Sequence, residues 1–258
     1  MSQFPDRLAK LDRKPLGAYI LRLADVQPGS KSGWVSFRLV LTSNTAAFAP
    51  PVVEGIFSSG GRGVAPWIEV TEYHPRLKSS RGEPTTLDLA AAALELQLFR
   101  TLGDLIPPGG HLTLACASPD HEATYRLLLR RVPPLLTPLG HLLFQSGFRS
   151  VRFFYLAEGG WEGQQKLWAE KALNPDTQRR WDETTAHELL RFLAEPGNAR
   201  FAPDCAAAAL RVLPAVKPPG ELGQRVASLL QECGPRASKD PAGLFDCARR
   251  LLASSSTR

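Results

Sequence analysis

Along the first third of the chain, apolar positions come in short blocks of strand length, each closed by proline, glycine or serine. Tyr19 to Val26 is largely apolar and breaks at Pro28-Gly29-Ser30, which predicts a strand and a turn. Trp34 to Leu41 alternates: Val35, Phe37 and Leu39 fall on one face, Ser36, Arg38 and Val40 on the other, the period of a half-buried strand. Val52 to Ser58 follows the Pro50-Pro51 break, Ser59 to Gly63 reads as a flexible turn, and Val64 to Tyr73 supplies a fourth strand. Four successive strands at short spacing predict an antiparallel meander.

The period then changes. Pro75 to Pro84 is a polar loop, Thr85 or Thr86 can cap a helix, and Asp88 in the first turn complements the helix dipole. Leu87 to Leu105 is apolar nearly all round, which predicts a helix buried against a sheet face. Pro107 to Gly110 ends it, and His111 to Ala117 is again of strand length. Two helical stretches follow, Asp120 to Arg131 and Leu135 to Ser146, parted by Pro133-Pro134, with Gly147 as the left-handed terminator of the second. Ser150 to Leu156 and Gln165 to Ala172 flank a Gly-rich turn and predict a closing hairpin.

From Asp176 onward the strand signal vanishes. Thr184 to Leu193, Pro203 to Leu213, Glu221 to Glu232 and Pro241 to Ala253 read as amphipathic helices, with Asp204 and Asp240 as caps. Three segments result: an N-terminal stretch over 1–18, a mixed α+β domain over 19–173 and an all-helical extension over 174–258.

Composition changes this picture little. At 258 residues with 43% hydrophobic and 22% charged residues, the chain suits two globular units. No apolar run approaches the roughly 18 residues of a membrane span, so a soluble, cytoplasmic protein without membrane contact is expected. Cys116, Cys205, Cys233 and Cys247 lie far apart with no metal-ligand spacing, and they read as buried reduced thiols. The net charge of +6 is spread over the chain, with 12 basic against 10 acidic residues in 174–258, which argues against a nucleic-acid module. One local exception is the span holding Arg126, Arg130, Arg131, Arg149 and Arg152, which contains no acid between Ala123 and Ala157. It fits a solvated helix face, or else a rim facing an anion.

The order of four strands, helix, strand, helix and two strands, with Leu139 to Phe148 (LGHLLFQSGF) leading into Arg149 to Leu156, resembles the GNAT (Gcn5-related N-acetyltransferase-like) superfamily. TPLGHLLFQSGF, followed by AEGGWEGQQKLWAEKAL, also resembles an uncharacterised prokaryotic domain-of-unknown-function family grouped with that fold. The resemblance implies a mixed sheet whose fourth and fifth strands splay apart, leaving backbone groups for the pantetheine arm of acetyl-CoA or another acyl-CoA. A helix N-terminus beside them would take the pyrophosphate. Carried onto this sequence, the cofactor would lie against Ile68, Val70, Arg76, Lys78, Arg81, Gly82, Thr85 and Thr86. The sequence departs from the superfamily at Pro84, which lacks an N–H in the phosphate loop, and at Leu143, where a tyrosine often stands.

Acyl transfer to an amine needs a group that removes a proton from the nucleophile and one that protonates the departing thiolate. Glu72, at the polar end of the fourth strand, is the candidate base, and Tyr155 the candidate acid. Glu158, Trp161 and Glu162 at the closing hairpin would border the groove for a small-molecule or peptide amine acceptor. His111 and His141 fit structural roles better than catalytic ones. The implied activity is an acyl-CoA-dependent N-acyltransferase. A GNAT-like protein without catalysis, holding a ligand or partner, is the alternative, a nucleic-acid-associated protein using the arginine-rich span is a third reading, and the helical extension would serve as a lid or as the surface of a homodimer.

Overall fold

The meander forms with one strand more than its sequence announces. In the computed structural model, Pro15–Leu16 (β1) pairs antiparallel with Tyr19–Pro28 (β2), and Trp34–Thr42 (β3), Val52–Ser58 (β4) and Trp67–Tyr73 (β5) continue in antiparallel succession. The structure describes residues 3–16, 19–29, 31, 34–42, 52–58, 65–73, 86–115, 133–155, 165–195, 197–198, 209, 211–237 and 241–254. The predicted helix over 120–131 lies outside them, as do most of that over 203–213 and the caps Asp204 and Asp240.

After β5 comes the long helix Thr86–Leu105 (α2), then His111–Ala115 (β6), which lies parallel to β5. Ser150–Tyr155 (β7) and Gln165–Glu170 (β8) form the closing hairpin, and it is β8 that pairs with β6. The eight strands make one open sheet in the order β1-β2-β3-β4-β5-β6-β8-β7, antiparallel except between β5 and β6.

The chain divides into two compact units, Met1–Glu122 with Gln145–Lys171, and Ala123–Phe144 with Ala172–Arg258. The core of the first follows from the alternation of its strands. Leu21, Phe37, Leu39, Val53, Phe57, Ile68, Val70, Leu112, Leu114, Leu167 and Ala169 are buried, and so are Leu94, Leu98, Phe99, Leu102 and Leu105 of α2. Gly103 of α2 stands where a Cβ would lie 3.1 Å from the Ser146 carbonyl oxygen, so the helix passes close to the Gly-Phe turn. Phe148 is fully buried and Gly147 has φ of 97°, the left-handed value that ends the preceding helix. The N-terminal stretch holds a helix over Gln3–Ala9 (α1) whose Leu8 is buried, with Leu11 buried just beyond it.

In the second unit, a 3₁₀ turn at Pro134–Leu136 precedes the helix Pro138–Gln145 (α3). Gly140 permits that arrangement, since a Cβ there would sit on the Pro134 carbonyl oxygen. The first helix of the extension starts earlier than its apolar period suggested: Pro175–Ala194 (α4) is capped by Asn174, whose Oδ1 accepts the Thr177 N–H at 2.9 Å. Gly220–Ala237 (α5) runs on through Gly234-Pro235, where the sequence pattern predicted an end, although Pro235 lacks the N–H for the helical bond four residues back. Pro241–Ser254 (α6) follows.

One expectation is overturned in this unit. Cys233 of α5 and Cys247 of α6 are joined by a disulfide, with Cα atoms 5.8 Å apart. Fourteen positions of separation carried no sequence signal for it, because the pairing depends on how α5 packs on α6. Cys116 and Cys205 lie outside the described residues.

Candidate functional site

The site is built from the one parallel pair of strands. β5 and β6 pair at Trp67 with His111, Ile68 with Leu112, Glu69 with Thr113 and Val70 with Leu114. Among the described residues no further β5/β6 pair follows, although β5 continues to Tyr73 and β6 to Ala115. On its other flank β5 stays paired to the end, Glu72 with Glu54 and Tyr73 with Val53. Among the described residues, Thr71 to Tyr73 therefore present to β6 a length of backbone with no strand partner, and backbone N–H and C=O groups require partners.

A β-bulge marks the same point. Gly55 pairs with Val70 and Glu54 with Glu72, so Thr71 has no opposite number on β4. The extra residue bends the strand and re-aims the backbone just as the parallel ladder ends, and bulges concentrate beside active sites for this reason. Gly55 belongs to the device: a Cβ on it would lie 2.7 Å from both the Glu69 carbonyl oxygen and the Phe37 ring. A glycine inside a strand pattern signals close backbone approach or a bulge, so this feature could have been found in the sequence.

The structure sorts the residues proposed from sequence. Ile68 and Val70 are fully buried in side chain and paired on both flanks, so they line the closed part of the ladder, not the open part. The stretch of β5 that faces β6 without a strand partner among the described residues is Thr71 to Tyr73. Glu72 belongs to that stretch, and its side chain is not among those described. Tyr155 ends β7 at the same end of the sheet, but β6 and β8 intervene. Three strand spacings put about 14 Å between Glu72 and Tyr155 along the sheet. Thr86 opens α2. Arg76, Lys78, Arg81, Gly82 and Thr85 lie outside the described residues, and so do Glu158, Trp161 and Glu162.

Leu143 is fully buried and offers no hydroxyl in place of the tyrosine. His141, on α3, is held below the usual imidazole value by burial and then by the Arg211 charge. Of the arginine-rich span, Arg152 is neutralised by a neighbour in the sheet: its Nη2 donates to Glu170 Oε2 at 2.6 Å, an acid the linear sequence placed outside the span. Arg126, Arg130 and Arg131 lie outside the described residues.

At the opposite end of the parallel pair stands a file of rings. His111 stacks on Trp168 with ring centroids 3.9 Å apart and an interplanar angle of 14°, and Trp67 lies on its other side at 6.3 Å and 18°. Trp34 meets Trp67 edge-on at 5.1 Å, and the Lys31 ammonium sits 4.7 Å from the Trp34 ring. The four rings come from β3, β5, β6 and β8, and each is half-buried, while Lys31 precedes β3 and is exposed. Rings stacked face to face along neighbouring strands hold the strands in register. The file thus pins the Trp67–His111 end of the β5/β6 pair. Burial lowers the His111 pKa, and the nearby Glu170 carboxylate opposes that shift. Local sequence gave no hint of the file, since its members are spread over 134 positions from Trp34 to Trp168.

Among the described residues there is no group of acids, histidines and cysteines arranged to hold a metal ion, and no helix is long and apolar enough to cross a membrane.

Comparisons with known proteins agree with this architecture and add no activity. The profile of a family described as "Protein of unknown function (DUF1122)" matches residues 17–196. The crystal structure of a protein of unknown function from Aquifex aeolicus VF5 is similar, with a TM-score of 0.57 and 23% sequence identity, over 82% of this chain and 99% of that one. At that identity the likeness is one of fold. No curated protein matches the chain.

Proposed function

Because the chain belongs to the DUF1122 family, whose function is unknown, its activity has to be inferred from the site, and we propose an acyl-CoA-dependent N-acyltransferase of GNAT-like fold. The observation that carries the reading is the parallel β5/β6 ladder ending at Val70 and Leu114, with a bulge at Thr71 beside it. Among the described residues, the flank of Thr71 to Tyr73 toward β6 has no strand partner, which suits the amides of a pantetheine arm, and this is the fit the site offers to acyl-CoA.

A bound acyl-CoA would supply an activated acyl group with a thiol as leaving group. The chain's own part is positional and electrostatic. Backbone N–H groups at the bulge would face the thioester carbonyl and favour negative charge on its oxygen. Glu72 would take the proton from an incoming ammonium, directly or through water. Given its distance from Glu72 along the sheet, Tyr155 serves the leaving side only if the acyl group lies between the two. The loop residues Arg76, Lys78, Arg81, Gly82, Thr85 and Thr86 are proposed to meet the phosphates, with Glu158, Trp161 and Glu162 toward the amine acceptor.

The test is thermal unfolding of the full chain with and without CoA and acetyl-CoA, with ATP as a control for phosphate binding alone. A rise in midpoint with CoA and acetyl-CoA that ATP does not match is expected. An unchanged midpoint at millimolar CoA sinks the proposal.

Burial of Leu143 favours a second reading, in which the fold binds its ligand without turning it over. It predicts the same midpoint shift, but no release of free thiol from acetyl-CoA across a panel of primary amines. The ion pair between Arg152 and Glu170 removes one of the charges that suggested a polyanion partner.

A further inference from the structure

We propose that the Cys233–Cys247 disulfide is a redox latch on the last helix: with the bond intact α6 is held to α5, and with both thiols reduced α6 opens while the rest of its unit stays folded.

The argument starts from what else holds α6. It is 14 residues long, and isolated helices of that length are marginal in water, so its order depends on tertiary anchors. Its described buried side chains are Phe245, Cys247 and Ala248. Phe245 meets Phe192 of α4 edge-on, with centroids 5.9 Å apart at 66°. Ala248 is small, so of these three side chains the larger anchors are Phe245, against Phe192, and Cys247, through its covalent bond. The bond closes a loop with a sequence separation of 14. For a loop of about 15 residues, chain entropy alone favours the closed state by on the order of a hundredfold.

Both sulfurs lie in the core, with Cys233 fully buried and Cys247 only 6% exposed. A catalytic disulfide needs a sulfur that a thiolate can reach, and neither of these offers one. Exchange must therefore wait for α6 to separate from α5. The chemistry balances with a low-molecular-weight disulfide as oxidant. One protein thiolate attacks it, giving a mixed disulfide and one small thiol, and the second protein thiolate then displaces the other small thiol. Two protein thiols are oxidised, one external disulfide is reduced to two thiols, and reduction runs the same steps backwards.

Amide hydrogen exchange of the full chain tests this, comparing oxidised protein, protein reduced with dithiothreitol, and the C233S/C247S double variant. Exchange within 241–254 should quicken at least tenfold on reduction, while 175–194 in α4 keeps its protection. The double variant should reproduce the pattern. Because buried serine hydroxyls can destabilise on their own account, the reduced wild type is the deciding arm. Unchanged protection of 241–254 after reduction overturns the proposal. So does an equal loss across α4, or trapping of both cysteines as free thiols by alkylation of the untreated, denatured chain.

Discussion

Gly55 and His111 show how single positions set the two ends of the parallel pair. At Gly55 a methyl group would need space held by the Glu69 carbonyl oxygen and the Phe37 ring, each 2.7 Å away. The carbonyl belongs to a strand paired on both sides and cannot withdraw cheaply. Gly55→Ala should lower stability by about 1–3 kcal/mol in denaturant unfolding, the range for overpacking a tight core. A loss within error of zero would show that the bulge tolerates a side chain.

His111 carries a pH signature. Burial, opposed by Glu170, holds its imidazole below the ordinary value of 6.5 in the folded state. Above that value neither state is protonated, and the group has no effect on the balance. As pH falls through 6.5 the unfolded chain takes up the proton first, so stability declines until the folded value is passed. Unfolding in urea at pH 7.5 and 5.5 should show a larger acid-side loss for wild type than for His111→Phe. Equal losses would assign the acid sensitivity elsewhere.

At the scale of elements, helix ends were the least legible feature. The apolar period of α4 becomes clear only from Thr184, yet the helix begins at Pro175 because Asn174 caps it, Pro175 fixes the first turn and Asp176 meets the dipole. The Asn-Pro-Asp signal was present in the sequence, and the apolar period masked it. Asn174→Ala should remove the bond to the Thr177 N–H and cost about 1 kcal/mol, seen as a lower unfolding midpoint, with helix content by circular dichroism nearly unchanged below it. Strands were read more accurately than helix ends. Phe37 and Leu39 point into the core as their alternation required, while Ser36 and Arg38 do not.

At the scale of the molecule, ligand binding acts on the folding equilibrium as a whole. CoA at a hundred times its dissociation constant should add about 2.7 kcal/mol if only the folded chain binds it. For a protein of this size, at about 2–4 °C per kcal/mol, that corresponds to a rise of roughly 5–11 °C in calorimetry. The second unit is a separate case, because its last helix is tied to the preceding one by a bond whose state depends on the surroundings.

The sequence by itself determined the identity and order of the main elements: the meander, α2, the lone strand β6, the glycine-ended helix before Phe148 and the closing hairpin. Those depend on backbone preference and on side-chain period, which are settled by near neighbours along the chain. The tertiary structure alone decided that β8 lies between β6 and β7, that Thr71 is left over opposite Gly55, that three tryptophans and His111 line up across the sheet, and that Cys233 meets Cys247. Each of those joins residues remote in sequence, and only the packing of whole elements brings such residues within reach of one another.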